Sequence, residues 1–311
     1  MGLVLLLGLA SGAAAESTQP EPEEANFAGE VSVGYVLVPV VVRSSDGYVS
    51  NLEGEDFHLF VDDRAVRFDS FERRSDAPIS VVFLQDLSGS MANGGKIEAS
   101  REAVRFFLDQ AQDADEFAIA SFAGPYTQVE VPFTADVTAL DEAVRSWDPY
   151  GKTALHDAVS LLPQISDGGT HAKRAAILVT DGVDNASTIN PDQARELVRK
   201  AQVPVYVLGL GSGSPYELDN DGGKLHRFAD VLNLLALMSG GRYFAVGGPN
   251  DLKEAMVAIA EDLRHQYVLG FETSGRGKED ARRIRVEVDK KNVRVLSRLA
   301  YHGTLPAPGG K

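Results

Sequence analysis

Short continuous apolar runs alternate with apolar residues at helical spacing over much of the chain. The run ISVVFL, residues 79–84, is uninterrupted, as expected for a parallel strand that is buried on both faces. IEASREAVRFFLDQA follows it with helical spacing, and the same alternation continues through RAAILVTDG, PDQARELVRKAQ, VPVYVLGLG, FADVLNLLALMSGG, RYFAV and NDLKEAMVAIAEDLRHQ. The pattern predicts an α/β domain over residues 77–266, with a doubly wound, mostly parallel sheet and helices on both faces.

Two further segments of this domain have distinct patterns. TQVEVPF alternates between apolar and polar residues and follows EFAIASFA through a short Gly-Pro turn. These two strands are therefore predicted to pair antiparallel at an edge of the sheet. ALHDAVSLLPQI has helical spacing and predicts one helix.

The segments on either side of the α/β domain have strand patterns. Residues 30–76 contain VSVGYVLVPVVV and DFHLFVDDRAVRFDSFE, which alternates around a predicted turn at Asp62 and Asp63. Residues 267–303 contain three predicted strands, YVLGFET, RRIRVEVD and VRVLSRLAY. Neither segment has enough strands for its own core. We therefore expect both to form one small β-sandwich or sheet, into which the α/β domain is inserted.

The chain begins with MGLVLLLGLASGAAA, an apolar run followed by small residues of the A-x-A type. This pattern predicts a secretory signal peptide over residues 1–15, although no Lys or Arg precedes the apolar run. The alternative is a short membrane anchor, but about 20 apolar residues are needed to cross a bilayer. Residues 16–29 are predicted to form a flexible leader and residues 304–311 a frayed tail. The predicted location is secreted, periplasmic or cell-surface, with no membrane span in the mature chain.

Composition excludes several kinds of function. The 311 residues include 30 Lys and Arg against 45 Asp and Glu, a formal net charge of -15. Such an acidic chain is a poor binder of nucleic acid, because it offers few cations to replace the phosphate counterions. There is no cysteine, which excludes disulfides, thiolate metal sites and thiol nucleophiles.

Oxygen-bearing side chains stand at the ends of two predicted strands and in a loop that opens a helix. Asp86, Ser88 and Ser90 follow ISVVFL directly, Asp181 follows RAAILVT, and Thr153 precedes the helix ALHDAVSLLPQI. Open α/β sheets bind ligands beyond the carboxyl ends of their strands. Oxygen ligands of low charge suit a hard cation such as Mg²⁺. Asp-x-Ser-x-Ser alone is equally typical of a turn or helix cap, so the prediction depends on all three segments.

DLSGSM after an apolar strand, the Gly-x-Thr-Ala loop and the later Val-Thr-Asp-Gly together resemble the von Willebrand factor type A (VWA) domain and its metal-ion-dependent adhesion site. The resemblance covers roughly residues 80–266, and the flanking strands resemble those of bacterial exported VWFA-related proteins. It implies that Ser88 and Ser90 bind the ion directly, that Thr153 does so when a ligand is engaged, and that Asp86 and Asp181 act mostly through water. The implied ion is Mg²⁺, or Mn²⁺ or Ca²⁺, and a partner protein's Asp or Glu completes its shell. Gln85 departs from the family, which usually has an apolar residue there.

Several nearby residues have alternative interpretations. Asp157 is either a second acceptor for the ion or a carboxylate favoured by the helix dipole, and the dipole is preferred. Asp184 and Asn185 are turn residues or partner contacts, with turns preferred. His156 would place nitrogen in an oxygen site, so we assign it to the helix surface. The D-N-D-G sequence in residues 214–226 lacks the bidentate Glu of a calcium loop and predicts a surface loop.

These patterns favour a divalent-cation-dependent protein-binding module, used for adhesion or as a scaffold, and no enzymatic activity. The alternative is a metal-dependent hydrolase that uses Asp86 and Asp181. A hydrolase needs a positioned general base, and no histidine adjoins Ser88 or Ser90 in the sequence. A scaffold subunit would differ from an adhesion module only in keeping its partner permanently.

Overall fold

A computed structural model describes residues 34–73, 75–182, 184–198, 203–211, 228–274 and 279–306. All of them belong to one compact unit, Ser32–Lys311. The predicted signal peptide, the leader and the 214–226 loop lie outside the described residues, as do the last residues of the predicted tail. Within the described part, no helix is both long and apolar enough to cross a membrane.

The amino-terminal flank forms short strands. They are β1 (Tyr35–Ser44), β2 (Gly47–Tyr48), β3 (Phe57–Val61), β4 (Arg64–Val66) and β5 (Ser70–Glu72). The turn between β3 and β4 is at Asp62 and Asp63, with φ of 48° and 63°, which confirms the predicted hairpin. Two successive left-handed residues match the twist of a tight hairpin, and Asp tolerates this conformation better than most residues.

The α/β domain contains a sheet with the strand order β11-β10-β9-β6-β7-β8. Its strands are β6 (Ile79–Asp86), β7 (Glu116–Ala123), β8 (Tyr126–Thr134), β9 (Lys173–Thr180), β10 (Val205–Leu210) and β11 (Tyr243–Val246). All neighbours are parallel except β7 and β8, which pair antiparallel and place β8 at the edge, as predicted. From β6, the strands that follow in sequence are added first on one side, as β7 and β8, and then on the other, as β9, β10 and β11. The carboxyl end of β6 therefore lies where open sheets form a ligand crevice.

Helices cover both faces of this sheet, which confirms the predicted fold class. They are α1 (Lys96–Leu108), α2 (Val137–Ser146), α3 (Leu155–Ser160), α4 (Leu162–Ser166), α5 (Pro191–Val198), α6 (Phe228–Ser239) and α7 (Pro249–Arg264). All eight residues of β6 are buried. Val81 and Phe83 pack into the core that contains α1 and α7 residues, whereas Val82 and Leu84 pack into the core with α3 and α6 residues. This two-sided burial explains the uninterrupted apolar run.

The carboxy-terminal flank returns to the amino-terminal strands. It forms β12 (Tyr267–Glu272), β13 (Asp280–Val288), β14 (Arg294–Ser297) and β15 (Ala300–Gly303). One sheet has the order β14-β1-β12-β5, with β2 beside β1, and the other has the order β15-β13-β3-β4. A third core contains buried residues from both sheets, such as Val38, Leu59 and Tyr267. The two flanks therefore form a β-sandwich beside the α/β domain.

Two predicted elements are divided in the structure. VRVLSRLAY was predicted as one strand, but β14 pairs with β1 and β15 pairs with β13, so the chain changes sheets at Arg298. The buried Arg298 donates from Nε to the carbonyl of Ala300 at 2.9 Å, which stabilises the bend. ALHDAVSLLPQI was predicted as one helix and forms α3 and α4, separated at Leu161. Pro163 has no N–H, and its ring clashes with a preceding carbonyl inside a continuous helix.

Candidate metal centre

Asp86 is the last residue of β6, and its side chain is held by two hydrogen bonds. Its Oδ1 accepts from the backbone N–H of Ser88 at 2.7 Å, and its Oδ2 accepts from the hydroxyl of Thr180 at 2.6 Å. Asp86 is fully buried. Burial raises the pKa of the Asp86 carboxyl, and the hydrogen bonds from Thr180 and Ser88 oppose that rise. A buried anion in this position would be stabilised by a nearby cation.

A chain of close oxygen contacts links the loop after β6 to the end of β9. The Ser88 and Ser90 hydroxyl oxygens are 3.1 Å apart, and the Ser90 hydroxyl donates to Oδ1 of Asp181 at 2.7 Å. Ser88 is buried and Ser90 is exposed. This series of contacts therefore leads from a buried position towards solvent, where a partner protein can approach.

Thr153 reaches the same place from the loop that opens α3. A side chain at Gly182 would place its Cβ 2.9 Å from Oγ1 of Thr153, so the hydroxyl lies against the backbone immediately after Asp181. The N–H of Gly89 donates to the carbonyl of Gly151 at 3.1 Å, which ties the two loops together. Gly151 has a φ of 72°, a left-handed conformation that favours glycine at this turn. The structure thus brings together all five predicted site residues.

Lys96 brings a positive charge into contact with this cluster. Its Nζ forms an ion pair with Oδ2 of Asp181, the carboxylate oxygen that does not contact Ser90. The Asp181 side chain is fully buried, and that of Lys96 is 32% exposed. A buried carboxylate needs a paired charge, and Lys96 provides it from the first turn of α1.

The donor set fits a hard divalent cation. Two carboxylates and three hydroxyls supply only oxygen, which is the ligand type that Mg²⁺ and Ca²⁺ prefer. Within the described residues, no group of three or more His, Asp or Glu side chains has the arrangement of a metal site. Any ion held here would therefore depend on hydroxyls as well as carboxylates.

The segment after Asp181 is fastened to the start of α3. The backbone N–H of Thr153 donates to Oδ1 of Asn185 at 3.0 Å, and that of His156 donates to Oδ2 of Asp184 at 3.0 Å. Asp157 accepts from the backbone N–H of Thr188 at 2.9 Å. Asp184, Asn185 and Asp157 therefore hold the loops against each other, a role beyond the turn and dipole interpretations made from sequence.

His156 lies beside Asp184, with 3.4 Å between Nδ1 and Oδ2. Its side chain is 16% exposed, so His156 is partly covered by the loop after Asp181 at the edge of the helix surface. Gln85 is also buried, and its Nε2 donates to the carbonyl of Asp86 at 2.8 Å. Its Oε1 has no hydrogen-bond partner among the described residues, and nothing in the structure explains this.

Sequence reasoning did not single out Thr180 and Lys96. Thr180 immediately precedes Asp181, and its hydroxyl orients Asp86 across the sheet, as the adjacent positions of β6 and β9 allow. A signal for Thr180 was present, because it interrupts an apolar strand next to a predicted ligand. Lys96 begins α1, and its pairing with Asp181 depends on the direction in which that helix starts.

Residues 81–183 match the family model described as "von Willebrand factor type A domain". The chain contains a von Willebrand factor type A domain. This matched VWA segment includes all five predicted site residues, from Asp86 at the end of β6 to Asp181 after β9. The VWA sheet order and its switch at β6 place these residues at one edge.

Curated relatives resemble parts of the chain. Human inter-alpha-trypsin inhibitor heavy chain H3 is 30% identical over 61% of this chain and 22% of its own length. An uncharacterised protein from Borreliella burgdorferi is 24% identical over 70% of this chain and 64% of its own length. The chain thus spans only about a fifth of the heavy chain that it matches.

A solved structure shares the fold at low sequence identity. The pilus adhesin SpaC from Lactobacillus rhamnosus GG aligns with a TM-score of 0.50 and 12% identity. The alignment covers 81% of this chain and 42% of the adhesin. At this identity the likeness shows the fold alone. VWA domains commonly mediate protein–protein interaction or adhesion, and the domain here fits that general role.

Proposed function

We propose that this VWA domain is a divalent-cation-dependent protein-binding module of an exported protein. The observation that carries the proposal is the meeting of Asp86, Ser88, Ser90, Thr153 and Asp181 at the carboxyl edge of the sheet. Ser88, Ser90 and Thr153 would hold the ion directly, and Asp86 and Asp181 would hold it through water. When bound, Mg²⁺ or a similar ion would supply local positive charge to a partner's carboxylate.

The charge of the site supports a carboxylate-bearing partner. The site residues include only two carboxylates, and Lys96 pairs with one of them, Asp181. The site is therefore weakly anionic although the whole chain has a formal charge of -15. An acidic partner would be repelled at long range and attracted only within about a Debye length, roughly 8–10 Å in physiological salt.

The contacts of the two serines favour binding over hydrolysis. The hydroxyls of Ser88 and Ser90 contact each other and Asp181, and His156 contacts Asp184 instead. Within the described residues, neither serine therefore has the histidine base that an activated nucleophile needs. The export part of the proposal rests on the MGLVLLLGLASGAAA segment and its A-x-A sequence.

Selection of displayed peptides tests the proposal while the partner is still unidentified. A random peptide library is bound to the immobilised protein in Mg²⁺ and eluted with EDTA. We expect the eluted peptides to share an Asp or Glu whose replacement by Asn or Gln abolishes binding. The Ser88→Ala variant should not retain them, whereas Ser80→Ala, a change at the other end of β6, should. Peptides that bind equally in EDTA, or without any carboxylate, would contradict the proposal.

A further inference from the structure

A cavity separate from the candidate metal centre lies where the β-sandwich meets the VWA domain. Its volume is about 440 Å³. It is lined by residues of β1, β14, α6 and the segment before β11, with Arg43, Arg294 and Arg242 among them. It shares no lining residue with the candidate metal centre.

Strand pairing places two of these arginines directly opposite each other. Arg43 on β1 is the register partner of Arg294 on β14. Val42 and Val295, the adjacent residues, pack in the sandwich core, so the arginines point to the opposite face, towards the VWA domain. Directly opposed side chains have Cβ atoms about 4.5–5.5 Å apart, and like charges there are destabilising. A bound anion would remove this repulsion.

The chain supplies only one carboxylate to these cations in the described contacts. Asp262 of α7 is fully buried, and its Oδ2 accepts from Nη1 of Arg242 at 2.9 Å. Its Oδ1 accepts from the Tyr48 hydroxyl at 2.7 Å and lies 3.9 Å from Nη1 of Arg43. Asp262 is thus shared between Arg242 and Arg43, and the described contacts show no carboxylate paired with Arg294.

Arg294 is the cation left over. It is exposed, and its side chain has no hydrogen bond or ion pair with any residue that the structure describes. Arg283 and Arg264 are each paired with a carboxylate, Asp63 and Asp115, whereas Arg294, like the exposed Arg64 and Arg67, has none in the described contacts. Arg294 thus extends an unmatched guanidinium over the cavity.

We propose that this cavity binds a tetrahedral oxyanion, phosphate or sulfate, carried as a monoester. The planar fork of a guanidinium donates two parallel hydrogen bonds to such oxygens. Ser44 and Ser45 line the same opening, where their hydroxyls donate to the carbonyl of Gly47 at 3.4 Å and to Oδ1 of Asp46 at 3.1 Å. The cavity also has the apolar side chains of Leu237 and Leu296, which would contact the group that bears the oxyanion.

Calorimetric titration of the full chain with inorganic phosphate and with phenyl phosphate tests this proposal. EDTA removes divalent ions, so that phosphate cannot bind through an ion at the candidate metal centre, and added chloride keeps the ionic strength constant. We expect both ligands to bind, with phenyl phosphate tighter because its ring contacts the two leucines. Equal affinities would contradict the monoester, because the two leucines would then contribute nothing to binding. Failure of both to bind with a Kd below about 1 mM would overturn the proposal.

Two arginine variants distinguish specific binding in the cavity from a nonspecific effect of the protein's net charge. Arg294→Gln removes the unmatched guanidinium from an exposed position, so the fold should persist. We expect it to weaken binding roughly tenfold or more, because hydrogen bonds to charged groups are lost. Arg283→Gln removes the same charge from the other sheet of the sandwich and should leave the affinity unchanged. Equal losses in both variants, or no loss in Arg294→Gln, would contradict a built site.

Discussion

Replacing Ser88 by alanine removes one oxygen from the candidate metal centre and leaves its scaffold in place. The hydroxyl contacts Ser90 Oγ at 3.1 Å. The bond that holds Asp86 comes from the Ser88 backbone N–H, at 2.7 Å, and alanine retains it. Ser88 is buried, so water does not readily replace the lost hydroxyl. The variant should therefore fold and hold Asp86 as the wild type does.

The expected effect differs with and without the ion. Without it, the loss of one neutral hydrogen bond should lower the free energy of unfolding by about 0.5–1.5 kcal/mol. With Mg²⁺ at 100 times its Kd, the wild type should gain about 2.7 kcal/mol. If the loss of a direct ligand weakens binding roughly tenfold, the variant gains only about 1.4 kcal/mol at the same concentration. Mg²⁺ should thus widen the gap between the two proteins by about 1.3 kcal/mol.

Equilibrium urea unfolding with Mg²⁺ or with EDTA measures both effects, and Ser80→Ala is the matched control. Ser80 lies near the other end of β6, about 20 Å along the strand from Asp86. Its hydroxyl donates to Glu116 at 2.6 Å and accepts from the N–H of His171 at 3.0 Å. Ser80→Ala should lose at least as much stability in EDTA and keep the full gain from Mg²⁺. An equal gain from Mg²⁺ in the Ser88 variant would show that the Ser88 hydroxyl is not a ligand of the ion.

Three other changes follow from contacts near the two ends of the sheet. Lys96→Met removes the cation paired with Asp181 and should raise Mg²⁺ affinity by about tenfold in calorimetric titration, because the repulsion of the ion is lost. Gly182→Ala would place a methyl 2.9 Å from Thr153 Oγ1 and should cost about 1–3 kcal/mol in urea unfolding while weakening Mg²⁺ binding. The third change concerns Glu116. Partial burial raises the pKa of its carboxyl, but hydrogen bonds from Ser80 and Thr170 lower the pKa by more, so that it lies below its ordinary value. The stability that the Glu116 carboxylate provides is present above its ordinary pKa and is lost as pH falls through the lower folded pKa. Glu116→Gln should therefore be less stable than wild type at pH 7, and urea unfolding should show the difference disappearing in acid.

Each of these changes has an outcome that would contradict its reasoning. Weaker Mg²⁺ binding after Lys96→Met would show that the ammonium supports the site instead of competing with the ion. Unchanged stability after Gly182→Ala would show that the loop shifts freely away from Thr153. A difference between wild type and Glu116→Gln that persists below the folded pKa would assign the effect to packing instead of charge.

The sequence was sufficient to predict buried strands and tight turns, because neighbouring residues determine them. The continuous apolar run of β6 follows from burial on both faces. The Asp62-Asp63 turn follows from the left-handed conformation that a tight hairpin requires. The five site residues were predicted from a family resemblance together with their positions at strand ends and in the loop that opens a helix. The structure brings these residues together.

Features that depend on tertiary pairing could not be predicted in this way. The opposition of Arg43 and Arg294 depends on the register between strands about 250 residues apart in sequence. The bend at Arg298 depends on β14 and β15 joining different sheets. The pairing of Lys96 with Asp181 depends on where α1 begins relative to β9. The spacing of apolar and polar residues within one segment does not indicate which distant segment it will pair with.

Anomalous X-ray scattering from a crystal soaked in Mn²⁺ would show whether a divalent ion binds at Asp86, Ser88, Ser90, Thr153 and Asp181. Mn²⁺ prefers the same oxygen ligands as Mg²⁺ and gives an anomalous signal that Mg²⁺ lacks. We expect one strong peak within direct reach of the hydroxyl oxygens of Ser88 and Ser90, and its loss in crystals of Ser88→Ala. A map with no peak there, or with the main peak at another surface, would mean that these residues do not form a metal site.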